Sequence, residues 1–316
     1  MSTLITDISS FVGFNLCRKL LSKGENVIGL YANPARIETL TNSANAHHLT
    51  LINVALNDEQ NLQQIVHEYR PSTLFHFSDF GRVSAQAASA LSHLMTVLEA
   101  CKNSSVTHCL LNSSNAVYLP HQYSTMASNE LSEHPQNLAA ATARSCELLS
   151  HAYSFQYALP CTVVRFFEVY GNAADEDNLV HSLWQKVAQH QSIDLNDYPI
   201  DLLDFTYIDD VCNALLRLQE HPAKPNPDWQ LDEDFMDSST APWRIYNIGT
   251  GVGTPVLSLL EMIAEVQGQP LHFTTQQTAT APFRRIADVK PLLRETGYQP
   301  RTSLYAGLRQ MLARSY

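Results

Sequence analysis

Residues 5 to 13 read ITDISSFVG, an apolar strand that enters a helix near Phe11 through a tight turn. Such a turn can hold a phosphate. The first N–H groups of a helix have no partner inside it, and glycines let the backbone come close to the ligand. Three glycines usually share the task. Here Asp7 and Ser10 stand in the first two places and only Gly13 is kept. Other chemistry is scarce. The 13 histidines show no metal-ligand spacing, and Cys17, Cys101, Cys109, Cys146, Cys161 and Cys212 form no CxxC pair. The thiols read as reduced core residues, and no metal site is expected.

The chain of 316 residues can bury a sizeable core. With 45% apolar and 16% charged residues it has the composition of a folded globule. A formal net charge of −11 argues against nucleic acid and anionic membranes as partners. No apolar run reaches the roughly 18 residues of a membrane span, and MSTLITD lacks the regions of a signal peptide. A cytoplasmic location is expected. Glycine is unusually rare, 11 of 316 residues against an average near 7%.

Strands and helices alternate along the chain. TLIT (3–6), NVIGLY (26–31), LTLINV (49–54), TLFHF (73–77), VTHCLLN (106–112) and CTVVRFF (161–167) are short apolar, β-branched runs. A helix is expected over 11–22, and others near 59–69, 85–102 and 138–157. This alternation predicts a doubly wound parallel sheet whose ligands bind at the carboxyl ends of its strands. After residue 172 the pattern loosens. The stretch 221–243 reads as a surface loop, with helices following near 255–267, 289–296 and 303–314.

TDISSFVG, LEACK (98–102), SSNAVY (113–118), ELLSHAYS (147–154), RFFEVYG (165–171), DFTYIDD (204–210), YNIGTG (246–251) and ADV (287–289) occur in an order that resembles the extended short-chain dehydrogenases. The closest likeness is to nucleotide-sugar epimerases of the UDP-glucuronate 4-epimerase kind, and GYQPRTSLYAGLRQML (297–312) extends it almost to the end. The resemblance implies a Rossmann-type α/β fold with a smaller interleaved C-terminal substrate domain. The first domain is expected over 1–172, with 203–220 and 244–249 returning to it; 173–316 form most of the second.

Against this family pattern the site positions depart. In the phosphate turn the positions are Asp7, Ser10, Phe11, Val12 and Gly13; only the glycine that lets helix and strand pack is retained. Two unit charges about 4 Å apart repel by roughly 4 kcal/mol at an effective dielectric near 20, so Asp7 is expected to exclude a phosphate about a thousandfold. The acidic ribose anchor after the second strand is replaced by Tyr31, and the adenine contact after the third by Ala55. Ser78, Asp79 and Phe80 replace small residues after the fourth. Together these imply that NAD binding, the family's cofactor site, is lost and that no cofactor is held.

The resemblance also implies a catalytic Ser, Tyr and Lys. Ser114 survives, but Ala139 and Ala143 hold the Tyr and Lys positions. Such an acid/base contributes roughly 10² to 10⁴ in rate. Of the substrate-binding positions, Arg165 is kept, in a motif where packing and binding are both open roles for it; an anchoring arginine is Leu203, and an RxGD-like segment is TATAP (278–282). Arg284 and Arg285 read as surface charges. The expectation is a catalytically degenerate family member with a binding or scaffold role. An active enzyme using rearranged residues such as Ser114 and Tyr118, and a sensor of another metabolite, are the alternatives. Family members dimerise through the helices corresponding to 85–102 and 138–157. A homodimer, or a heterodimer with an active homologue, is therefore expected there, with Ala87, Leu91, Leu94, Leu98 and Cys101 as one seam.

Overall fold

A computed structural model describes residues 2–34, 36–80, 83–119, 125–130, 133–198, 202–230, 236–275 and 283–313. TATAP (278–282) and Tyr123 lie outside them.

Seven strands form the central sheet: β1 (Ser2–Ile5), β2 (Asn26–Tyr31), β3 (Leu49–Asn53), β4 (Thr73–His76), β5 (His108–Ser114), β6 (Cys161–Phe166) and, from later in the chain, Trp243–Ile248. The shorter strands β7 (Val169–Tyr170), β8 (Ile193–Asp194), β9 (Leu202–Asp204) and β10 (Thr206–Tyr207) lie between, so Trp243–Ile248 is β11. After it come β12 (Gly253–Pro255), β13 (Phe273–Thr274) and β14 (Arg284–Arg285). The helices are α1 (Phe11–Ser22), α2 (Ile37–Thr41), α3 (Glu59–Tyr69), α4 (Ser84–Cys101), α5 (Leu138–Tyr157), α6 (Leu179–Ala188), α7 (Ile208–Gln219), α8 (Val256–Gln267), α9 (Lys290–Thr296) and α10 (Leu304–Ala313).

The large sheet has the order β11-β6-β5-β4-β1-β2-β3. The chain builds outward from β1 to β3, then returns to β4 and builds the other way, which places a crevice at the carboxyl ends of β1 and β4. Pairing is parallel between β1 and β2, β1 and β4, β2 and β3, and β4 and β5. The inner strands β1, β2 and β4 are largely apolar and buried, as a sheet covered on both faces requires, while the edge strand β3 is partly exposed. Polar caps set the helix starts: Ser10 for α1, Asp58 for α3 and Asn137 for α5 each accept the backbone N–H three residues on. All six cysteines are free and buried.

The chain divides into two compact units. One comprises 1–119, 128–165 and 215–246; the other comprises 120–127, 166–214 and 247–316. The crossing therefore falls at Arg165 rather than at 172, and 203–214 belongs to the second unit. The first strand expected at 106–112 begins two residues later and reaches Ser114, which places that serine at the strand's end. In the first unit α3, α4 and α5 pack side by side, and the Tyr153 hydroxyl donates to Glu99 across α5 and α4 at 2.6 Å. Ala87, Leu94, Leu98 and Cys101 are buried in this packing. Of the seam expected there, these four residues are buried within the chain and Leu91 is half-buried.

Two histidines are buried in the large sheet. His76 lies between the Thr6 hydroxyl and the Ser78 hydroxyl, 2.8 Å from each, and His108 meets Thr162 at 2.9 Å. Burial lowers their pKa values to about 3 and about 4; for His76, nearby His93 adds to the effect. Both are neutral in the fold, so their contribution is complete above the unfolded value near 6.5 and is lost as the pH falls toward 4. The two together give a slope of about 3 kcal/mol per pH unit. Urea unfolding between pH 6.5 and 5 should show stability falling with acidification, and His76→Gln should remove about half of that slope. An unchanged slope would mean that His76 charges readily in the fold.

Candidate functional site

The turn between β1 and α1 keeps its shape without the two missing glycines. Asp7 Oδ1 accepts from Ser9 N at 3.1 Å, Ser9 Oγ at 2.9 Å and Ser10 N at 3.2 Å. Ser10 Oγ donates to the Asp7 carbonyl at 2.8 Å and accepts from Gly13 N at 3.2 Å. A side-chain-capped turn replaces a glycine turn. Gly13 is irreplaceable, because a Cβ there would stand 2.1 Å from the Asp7 carbonyl oxygen. The N–H groups of Phe11 and Val12, in the first turn of α1, have no partner within the helix.

This turn is tied to the end of β2. Ile8 N donates to the Leu30 carbonyl at 3.0 Å, and Ile8 packs so closely on Gly29 that a Cβ there would meet its Cδ1 at 2.2 Å. Tyr31 follows, half-buried at the strand's end. Ala55 is exposed just beyond β3. Arg36, which the periodicity of the sequence gave no reason to notice, reaches back from the next loop, and its Nη1 donates to the Ser9 carbonyl at 2.7 Å.

On the other side of the crevice, Asn112 Oδ1 accepts from Ser78 N at 2.7 Å, and its Nδ2 donates to the Ser78 carbonyl at 3.0 Å. Ser78 is half-buried and Asp79 exposed, but Phe80 is buried and so does not line an open groove.

The positions that the family resemblance implies for acid–base chemistry hold Ser114, Ala139 and Ala143. Ser114 Oγ accepts from Ala116 N at 3.1 Å and caps the 3-10 turn of residues 115–117. That turn packs against α5. On α5, Ala139 is half-buried and Ala143 fully buried. Tyr118 is buried, and its hydroxyl accepts from Arg165 Nη1 at 2.7 Å. The pairing of Ser114 with Tyr118 therefore has its tyrosine committed elsewhere.

Arg165 is buried and packs within the first unit. Its guanidinium grips Glu147 of α5 bidentately, Nε to Oε1 and Nη2 to Oε2, each at 2.8 Å, and stacks on the Tyr118 ring 4.7 Å from the centroid. Ser113 and Arg144 donate to the same carboxylate at 2.6 and 3.0 Å. Burial alone would raise the Glu147 pKa, but Arg165, Ser113 and Arg144 bring it below the ordinary value. Removing one partner of such a pair leaves a buried charge. Arg165→Met should destabilise the protein by about 3 to 5 kcal/mol, and adding Glu147→Gln should restore part of the loss. Denaturant unfolding of both variants checks this; equal losses would mean that the cost is one of shape alone.

In the second unit Leu203 is buried in β9, opposite Thr254 of β12 and beside Arg285 of β14. Its neighbour Asp204 accepts from Thr250 N, Thr250 Oγ1, Gly251 N and Ala287 N, which joins YNIGTG and ADV to β9. Burial raises the Asp204 pKa against these hydrogen bonds. Arg284 and Arg285 are half-buried strand residues and not plain surface charges; burial lowers the Arg285 pKa, with Glu168 opposing.

Residues 3–249 match the model of the NAD dependent epimerase/dehydratase family. The chain belongs to that family. It is 27% identical to Protein CapI of Staphylococcus aureus over 99% of this chain and 97% of that one. It is 26% identical to a probable UDP-glucuronate 4-epimerase of Rhizobium meliloti (strain 1021), covering 98% and 95%. Among solved structures it resembles the UDP-glucuronic acid 4-epimerase of Bacillus cereus in complex with UDP-glucuronic acid and NAD, with a TM-score of 0.81, 20% identity and full coverage of both chains.

These findings correct the expectation that no cofactor is held. The neighbour carries NAD on the same fold, and the obstacle assigned to Asp7 takes a different form. Its Oδ1 serves three donors of its own turn. The Phe11 and Val12 N–H groups at the start of α1 are the donors that a pyrophosphate needs, and Gly13 keeps the helix close to the turn. At the phosphate turn the residues fit a dinucleotide. At the ribose they lack the usual carboxylate, with Tyr31 and Ala55 in its vicinity.

Proposed function

We propose that this protein is a nucleotide-sugar epimerase/dehydratase-type subunit that holds a dinucleotide and does not carry out the sugar chemistry itself. A bound dinucleotide supplies a hydride acceptor. The proton of the sugar hydroxyl must go to a base from the chain, and a tyrosine with a free pKa near 10 serves only when a neighbouring cation lowers it. The absence of any titratable atom at Ala139 and Ala143 carries this reading. Ser114 Oγ, occupied with Ala116 N, supports it. The purified protein with excess NAD or NADP should not interconvert UDP-glucuronate or UDP-glucose with their 4-epimers, while dinucleotide binding is detectable by calorimetry. Turnover that Ser114→Ala abolishes would establish an active enzyme with rearranged residues instead.

The role left to such a subunit is partnership, and α5 supports it. Leu138, Ala141, Ser145, Leu148, Ala152 and Phe155 recur at spacings of three and four, the seam of a helix packed against another. Leu138, Leu148 and Phe155 are 42%, 55% and 67% exposed, and Met95 of α4 is 45% exposed. An apolar stripe of this kind on two neighbouring helices fits a second copy of the chain or an active homologue. Light scattering should give about twice the 35.3 kDa chain mass, or a mixed complex with a co-expressed epimerase. Leu148→Arg with Phe155→Arg should give a folded monomer. An unmodified monomer that captures no homologue would end this reading.

A further inference from the structure

Arg285 lies on β14, an edge of the three-stranded sheet β12-β9-β14, all within the second unit. We propose that Arg285 is an anion-binding residue, and that the face of this sheet which carries it takes a phosphate group of a small-molecule ligand. The register sets three side chains in one row. Thr254 of β12 pairs with Leu203 of β9, and Leu203 pairs with Arg285. Directly paired residues share a face, and strands lie about 4.8 Å apart, so a hydroxyl and a guanidinium start on either side of one leucine, roughly 10 Å from each other. Leu203 is buried, whereas Thr254 and Arg285 are half-buried. Arg284 pairs with Leu202 and belongs to the opposite face.

The guanidinium of Arg285 is not matched by the chain as that of Arg165 is. Arg165 has the Glu147 carboxylate in a bidentate grip. Arg285 Nε is buried and meets no acceptor among the described residues. Burial depresses the Arg285 pKa, and Glu168 only opposes that effect. The side chain keeps its charge all the same, since a guanidinium does not deprotonate in a protein. A buried donor left without an acceptor is unfavourable, and a charged one more so. A ligand oxyanion supplies what is missing. Phosphate suits the row because two of its oxygens match the fork of a guanidinium, while its tetrahedral shape leaves others for the Thr254 hydroxyl. This site lies wholly in the second unit and does not depend on the dinucleotide reading.

Calorimetric titration of the full-length protein with inorganic pyrophosphate, at constant ionic strength, tests this. It should show a saturable site that Arg285→Met weakens at least about tenfold, the scale of one charge-assisted bidentate contact. Arg284→Met, on the other face, should leave it within about twofold. Pyrophosphate held at the turn after β1 would persist in both variants, so their difference isolates this face. Without pyrophosphate, Arg285→Met should melt no lower than the unmodified protein, because it removes a charge that the chain itself does not meet. If Arg285→Met lowers the melting temperature and leaves binding as it was, Arg285 is structural and the inference fails. It fails too if Arg284→Met costs as much, or if malonate, a dicarboxylate, binds as tightly as pyrophosphate. Should Arg285→Met not fold, Arg285→Lys decides: it keeps the charge without the fork, and an unchanged affinity would overturn the assignment. Dinucleotide binding, titrated separately, should be the same in every variant, so either reading can fail while the other stands.

Discussion

The buried pair of Arg165 and Glu147 is the contact on which the first unit's arrangement depends. Neither charge reaches water, so each must be met by the other, and the bidentate geometry allows one relative position of β6 and α5. Ser113 at the end of β5 and Tyr118 beyond it bind the same two side chains, and Arg165 also donates to the Ser128 carbonyl. One ion pair therefore locates the end of β5, the 3-10 turn after it, and the helix on which the family's chemistry would be carried. The packing around α5 is complete, with alanines at 139 and 143. Structural residues and chemical residues have separated.

The turn after β1 shows the same separation by another route. A glycine turn is shaped by what the backbone tolerates, whereas this one is shaped by what Asp7 and Ser10 bind. The two side chains satisfy turn and helix-start donors that glycines would leave to a ligand or to water. This accounts for part of the chain's low glycine content without removing the groove. The one glycine that remains is where a carbonyl oxygen leaves no room for a Cβ. The carboxylate of Asp7 is held by donors of its own turn.

Long periodic elements were legible from the chain alone. The helix read at 138–157 is Leu138–Tyr157, because Asn137 caps an alanine-rich stretch of high helix propensity. The doubly wound sheet followed from β-branched runs separated by helical lengths, and Gly13 from the packing it alone permits. Strand ends were less legible. Val106 and Thr107 have strand-like side chains, yet the ladder starts at His108.

What the sequence determined by itself was the fold, the family and the alanines at 139 and 143 of α5, since these depend on residue types and local order. Tertiary structure decided the roles of side chains whose partners are distant in the chain. Arg165 became a core residue through Glu147, 18 positions away, and Leu94 turned inward. Phe80 was covered, Arg285 was laid beside Leu203, and Arg36 was carried back over Ser9, 27 positions earlier. A side chain's charge and size are written in the sequence. Whether that charge meets water, a carboxylate or a carbonyl depends on which segments the fold brings together.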